Sequence, residues 1–263
     1  MNIYAGLSVY DGIDKNDISS SFCNGYIVGD LFCSKKMFYY GEAGLYKTAG
    51  MIFSCGKEII YQSRMYLTDR FFSDELSKIS FLHDMFGLRK VLVQDVGFAV
   101  CIKEKYPEMI VIWSRLGRNR NSIINHSIPD FLKSIGVDAM ECDDPEKIGR
   151  IQNYGFPVYA VYGSMHYNTL SRDCYNKYLL KKYDGICSRE CITREMSLFY
   201  GNFSMTVNGN VLGEKIIYND SNDFFETVNK SCDNLIVYAG EISLLREKCD
   251  NIKSKIQRRE INE

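Results

Sequence analysis

The chain has 263 residues, 46% hydrophobic and 25% charged, with a formal net charge of −1. That size and balance describe a globular protein with room for a sizeable core, and the near-neutral charge gives no reason to expect nucleic acid or an anionic membrane as an obligatory partner. The opening MNIYAGLSVYDGIDKND lacks a basic start and an unbroken apolar core, and no stretch approaches the roughly 20 apolar residues of a membrane span, so neither a secretory signal nor a membrane span is expected and the expected setting is cytoplasmic, where thiols stay reduced.

Read in chain order, the sequence offers eight short apolar runs, at 3–9, 26–31, 58–65, 90–96, 109–116, 137–142, 158–163 and 234–240. They are rich in β-branched and aromatic residues, bounded by Gly, Asp or Asn, and almost continuous in hydrophobicity, which is how strands buried on both faces read. Helical segments are expected between them, at about 14–23, 41–55, 73–86, 96–105, 121–135 and 145–153. Ser73-Asp74-Glu75 and Asp143-Asp144-Pro145-Glu146 have the composition of helix N-termini, with capping residues followed by first-turn acids. Strands alternating with helices predict a parallel sheet, and eight of them predict an α/β fold of the (β/α)₈ barrel type.

The alternation breaks after Gly163. Residues of about 164–233 form a cysteine-bearing insertion between the seventh and eighth strands, on the side where barrels carry their chemistry. Within it, FSMTVNG–NVLGEKIIYN reads as a hairpin turning at Asn208-Gly209. The tail from Glu241 reads as a last amphipathic helix fading into charge. With no linker, repeat or low-complexity stretch, residues 1–263 are expected to form one barrel domain.

Ten cysteines are many for a reducing compartment. Cys55, Cys101, Cys142 and Cys232 sit singly and are expected to act as small core hydrophobes; Cys249, among charged neighbours, is expected to be exposed. Cys174, Cys187 and Cys191 are different, with three thiols within eighteen residues. Clustered thiols in a reducing setting more often bind metal than pair. The spacing C-x₁₂-C-x₃-C is unlike the close pairs of zinc fingers, and an iron–sulfur cluster needs a fourth ligand. Cys33, at the end of the second strand run, is the best placed; Cys23 opens that strand and lies at the wrong end. A zinc site completed by Cys33 or a histidine, and a coincidence of core thiols, both stay open on spacing alone. The abundance of Asn, Lys, Ile and Tyr with only four Pro points to an AT-rich genome, in keeping with an anaerobe.

At YIVGDLFCSKKM, CGKEIIYQSRMYLT and VYAVYGSMHYNTLSRDCYNKYL…DGICSREC the chain resembles the U-thirty-two collagenase-like peptidase family. It is most similar to the small V-type iron–sulfur members of anaerobic ubiquinone biosynthesis. The resemblance runs over about residues 3–245. It implies a 4Fe-4S cluster held by Cys33, Cys174, Cys187 and Cys191. It also implies a subunit of an oxygen-independent hydroxylase or related modifying enzyme, working as a heterodimer with a paralogous family subunit, with prephenate as the oxygen source in the family. Two departures stand out: the stretch from Gly163 to Cys174 is spaced differently, and 205–233 lacks the extension of longer members. The alternatives are a genuine peptidase and a non-catalytic iron–sulfur scaffold or electron-transfer subunit. Neither an HExxH nor a GxSxG pattern is present to mark a conventional protease.

Candidate catalytic residues come from the ends of the strand runs. Asp30, Arg64, Asp95, Arg115 and Glu141 lie near C-terminal strand ends, where barrel side chains converge. Arg64 and Arg115, with Arg118 beyond, suit a small dicarboxylate held by bidentate contacts; the bland reading is ion pairs closing the mouth. His166 lies in the insertion beside the cysteines. His83 reads as structural and His126 as solvated. Tyr162 and Trp113 line either the cavity or the core.

Overall fold

The computed structural model describes residues 1–7, 13–29, 41–63, 69–114, 127–165, 195–200, 203–208, 216–239 and 242–260. Its elements, in chain order, are β1 (Asn2–Leu7), α1 (Lys15–Ser19), β2 (Gly25–Gly29), α2 (Gly41–Ser54), β3 (Glu58–Gln62), α3 (Asp69–Phe86), β4 (Lys90–Val93), α4 (Val96–Lys105), β5 (Ile110–Trp113), α5 (Ser127–Ser134), β6 (Ala139–Cys142), α6 (Pro145–Asn153) and β7 (Val158–Tyr162). There follow β8 (Ser164–Met165), β9 (Glu195–Tyr200), β10 (Phe203–Asn208), β11 (Ile216–Ile217), α7 (Asn222–Ser231), β12 (Asn234–Ala239) and α8 (Ile242–Glu260). Eight strands close into a barrel in the order β1-β12-β7-β6-β5-β4-β3-β2, and every neighbouring pair is parallel. The expected (β/α)₈ barrel is therefore what this chain forms.

Alternation along each strand sorts the side chains into two layers. Tyr61 donates its hydroxyl to Glu75 of α3 at 2.8 Å, so Tyr61 faces the helices, and Ile60 and Gln62 face the axis. Tyr162 donates to Asp220 and packs on Phe224 and Phe225 of α7, so it too is outward. Trp113 is in register with Met140, one residue out of phase with Ser114 and Glu141, and belongs to the same helix-facing layer. Both aromatics are core, not cavity lining. The middle of the axis is filled by Ile27, Ile60, Leu92, Ile112, Val161 and Ile236, each at most 2% exposed.

The base of the barrel is closed by a polar cluster. Lys90 reaches Tyr4 Oη at 2.6 Å and Glu58 Oε2 at 2.5 Å, and Tyr4 donates to the same Glu58 oxygen at 2.9 Å. Burial, then the bond to Glu58, pushes the Tyr4 hydroxyl well above the usual phenol range. Tyr159, packed 5.8 Å from Tyr4, is pushed up to about 12 by burial.

One expectation about local structure fails. The helix expected to start at Ser73 begins at Asp69, so Ser73-Asp74-Glu75 is not a cap. The acids serve a helix face instead: Lys78 pairs with Asp74 at 2.6 Å and with buried Glu75 at 3.3 Å. Of the hairpin expected to turn at Asn208-Gly209, Gly209 and residues 210–215 lie outside the described residues; β10 pairs antiparallel with the preceding β9, and β11 with β8. The α6 cap is as expected: Asp144 accepts from Glu146 N at 3.1 Å, with Pro145 in the first turn.

Cys249 corrects another expectation. It is 4% exposed, because Leu245, Cys249 and Ile252 recur at helical spacing and form the stripe by which α8 packs on β12 and β1. Cys142 and Cys232 are buried, as expected, and Cys55 and Cys101 are half-buried.

Candidate functional site

In a barrel of this kind the chemistry belongs at the C-terminal ends of the strands. There the inward layer turns polar. Register carries Gln62 of β3 and Gln94 beyond β4 around the axis to Ser114 beyond β5 and Glu141 of β6, while Tyr238 of β12 reaches in from the opposite wall. Glu141 is fully buried. Its Oε2 accepts from Ser114 Oγ at 2.6 Å and its Oε1 accepts from Tyr238 Oη at 2.9 Å. A carboxylate this deep needs donors on both oxygens, and two hydroxyls fix its plane.

Tyr238 can lie across the barrel because the facing position on β1 is Gly6. A Cβ there would overlap the Tyr238 ring, so the glycine is dictated by a close approach. Tyr238 is thus positioned by sequence on two strands.

On this arc Gln62 Oε1, on a residue 2% exposed, and Gln94 Oε1 have no hydrogen-bond partner among the described residues. Leaving such a group unpaired costs on the order of 1–3 kcal/mol, so each marks a place for a polar ligand or ordered water. These amide oxygens share the inward layer with the Glu141 carboxylate.

Of the residues singled out from sequence, Glu141 stands at the centre of this arc. Asp95 caps α4, accepting from Phe98 N at 2.9 Å. Arg64, Arg115, His166, Asp30, Arg118 and His126 lie outside the described residues, as do Cys33, Cys174, Cys187 and Cys191. His83 sits on the outer surface between Asp84 and Glu108. Among the described residues no group of three or more His, Cys, Asp or Glu is arranged to hold a metal ion, and no helix is long and apolar enough to cross a membrane. Ser114, Tyr238, Gln62, Ser63 and Gln94 were not singled out from sequence. Their signal is a single uncharged polar residue closing an apolar run, as in EIIYQS, KVLVQ and IVIWS.

A cleft of about 320 Å³ opens at the opposite end of the barrel, beside Phe53, Lys57, Glu58, Phe86 and Lys90. Its charges are already engaged: Lys90 with Glu58, Lys57 with the carbonyls of Ser21 and Cys23. It lies on the face where barrels are stabilised rather than active.

Fold and site together define a (β/α)₈ barrel whose C-terminal mouth carries a buried, hydroxyl-clamped carboxylate. No protein-family model matches the chain, and no curated protein matches it in sequence. Among solved structures, it is similar to the U32 peptidase Mk0906, at 10% identity and a TM-score of 0.57, over 92% of this chain and 93% of that one. A glycerol uptake operon antiterminator regulatory protein from Listeria monocytogenes aligns at 10% identity with a TM-score of 0.48, over 90% of this chain and 91% of that one. At such identity the likeness to the peptidase is one of fold.

Proposed function

We propose that the chain is a 4Fe-4S protein of the U32-like kind, a subunit of an oxygen-independent hydroxylase or related modifying enzyme that acts on a small molecule at the barrel mouth beside a paralogous partner. The observation that carries this reading is topological. The segments containing Cys33 and Cys174, Cys187 and Cys191 follow β2 and β7, so both begin at the same rim. Only β12 and β1 stand between those strands, about 15 Å at the usual strand spacing. Four cysteine thiols are the donor set such clusters take.

A bound cluster would supply electrons or a Lewis-acidic iron at this rim. The protein's own part is then to hold the substrate and move protons. Glu141, clamped by Ser114 and Tyr238, is the group to accept a proton from a substrate or water oxygen. Gln62 and Gln94 would orient the substrate's polar groups. The candidate bases thus narrow to one residue with two positioning hydroxyls, and Arg64 and Arg115, next to Ser63 and Ser114 in sequence, would suit an acidic substrate.

Anaerobic purification tests the reading directly. Iron and acid-labile sulfide near four per chain, with a brown charge-transfer absorption, are expected. Cys174→Ala should lose both while keeping the far-UV circular dichroism of the parent. Colourless, iron-free protein after anaerobic reconstitution would end the proposal.

One observation favours a second reading, a true peptidase: Ser114 Oγ lies 2.6 Å from a carboxylate, a nucleophile beside a base. That reading requires peptide hydrolysis by metal-free protein, abolished in Ser114→Ala and retained in Cys174→Ala.

A further inference from the structure

Cys23 and Cys249 lie 226 residues apart in sequence, yet their sulfurs are 3.9 Å apart and both side chains are buried. Their meeting is held from both sides. One helical turn before Cys249, Arg246 pairs with Asp17 at 2.5 Å. One turn after it, Lys253 Nζ sits 3.7 Å from the centre of the Phe22 ring. Residues 246, 249 and 253 share one face of α8, and all three touch the 17–23 segment that leads into β2. Lys57 fixes the other end of that segment through the carbonyls of Ser21 and Cys23.

We propose that Cys23 and Cys249 are an oxidation-sensitive thiol pair that forms a disulfide with peroxide as the oxidant, clasping the last helix to the beginning of the barrel. The pair is independent of whatever the mouth binds. Closing the bond needs the sulfurs to approach from 3.9 Å to about 2.0 Å.

Cys249 is the attacking sulfur. The hydrogen bond from Cys23 lowers its thiol below the ordinary range against the opposing effects of burial and of Asp250, with Lys253 adding a smaller lowering. Cys23 is pushed up, by its bond to Cys249 and by burial, and keeps its proton. The thiolate of Cys249 attacks one peroxide oxygen; the O–O bond breaks and, with a proton, the other oxygen leaves as water. The resulting sulfenic acid is attacked by Cys23 sulfur as its proton is lost. The S–O bond breaks, a second water leaves and the S–S bond forms. Two thiols and one hydrogen peroxide give one disulfide and two waters.

The test uses the full chain, reduced and then exposed to hydrogen peroxide, with remaining thiols alkylated in denaturant before proteolysis and mass spectrometry. A peptide pair joined through Cys23 and Cys249 is expected, two hydrogens lighter than the reduced pair, and it should disappear on reduction. The oxidised chain should melt about 5 °C or more above the reduced one, since the bond closes most of the chain into a loop. Cys249→Ser should abolish that shift; if this variant fails to fold, the peptide map of the parent decides alone. Alkylation of both cysteines after peroxide, a stop at the Cys249 sulfenic acid, or pairing of either with another cysteine would overturn the proposal.

Discussion

Glu141 shows how much a single residue can be asked to do in a barrel interior. Burial removes its water, and the hydroxyls of Ser114 and Tyr238 stand in for it. The arrangement depends on Gly6, whose missing side chain admits the Tyr238 ring. Gly6→Ala should therefore destabilise the protein by about 1–3 kcal/mol, seen as a lower urea midpoint at unchanged slope. A midpoint equal to that of the parent would mean the ring is not held across β1. Glu141 was legible in sequence because a charge at the end of an apolar run is conspicuous. Its hydroxyl partners were not, because a serine or a tyrosine closing such a run has nothing local to show that it meets a carboxylate on another strand.

At the scale of elements, the outer face of β7 is tied to α7 and α8 through Asp220. Burial pushes the Asp220 carboxyl up, but the Tyr162 hydroxyl, Lys255 and Lys248 together hold it below the usual carboxylate range. A depressed folded-state value stabilises above the unfolded value and is lost as pH falls through the lower, folded one. Asp220→Asn should then melt below the parent at pH 7, by about 1–3 °C for so exposed a group. The gap should close below the ordinary carboxylate range, about pH 4. A gap that persists there would show that the aspartate acts through packing, not charge. Strands and most helices were legible because fully buried parallel strands read as continuous apolar runs. The helix beginning at Asp69 was not, since Ser73-Asp74-Glu75 fits a cap as well as a helix face, and neither was the β9–β10 pairing. Cys249 was read from its charged neighbours, when its spacing from Leu245 and Ile252 was the better guide.

For the whole molecule, the barrel topology was readable from the alternation of elements alone. The site was readable only as far as the rim: which strands end there follows from order, but which side chains touch follows from curvature and stagger. The proposed partnership belongs at this scale too. Native co-purification should recover a second, paralogous barrel chain, and activity should need both; full turnover by the isolated chain would remove the heterodimer from the reading.

The pairing of Asn2–Leu7 with Asn234–Ala239 has a consequence for biosynthesis. While the ribosome is still making the chain, β1 has no neighbour on one side, and neither has β7 once it emerges. Both exposed edges are invitations to mispair. Only when Asn234–Ala239 clears the exit tunnel can the ring shut, so the seven barrel strands before it must wait, half-assembled, for that one segment.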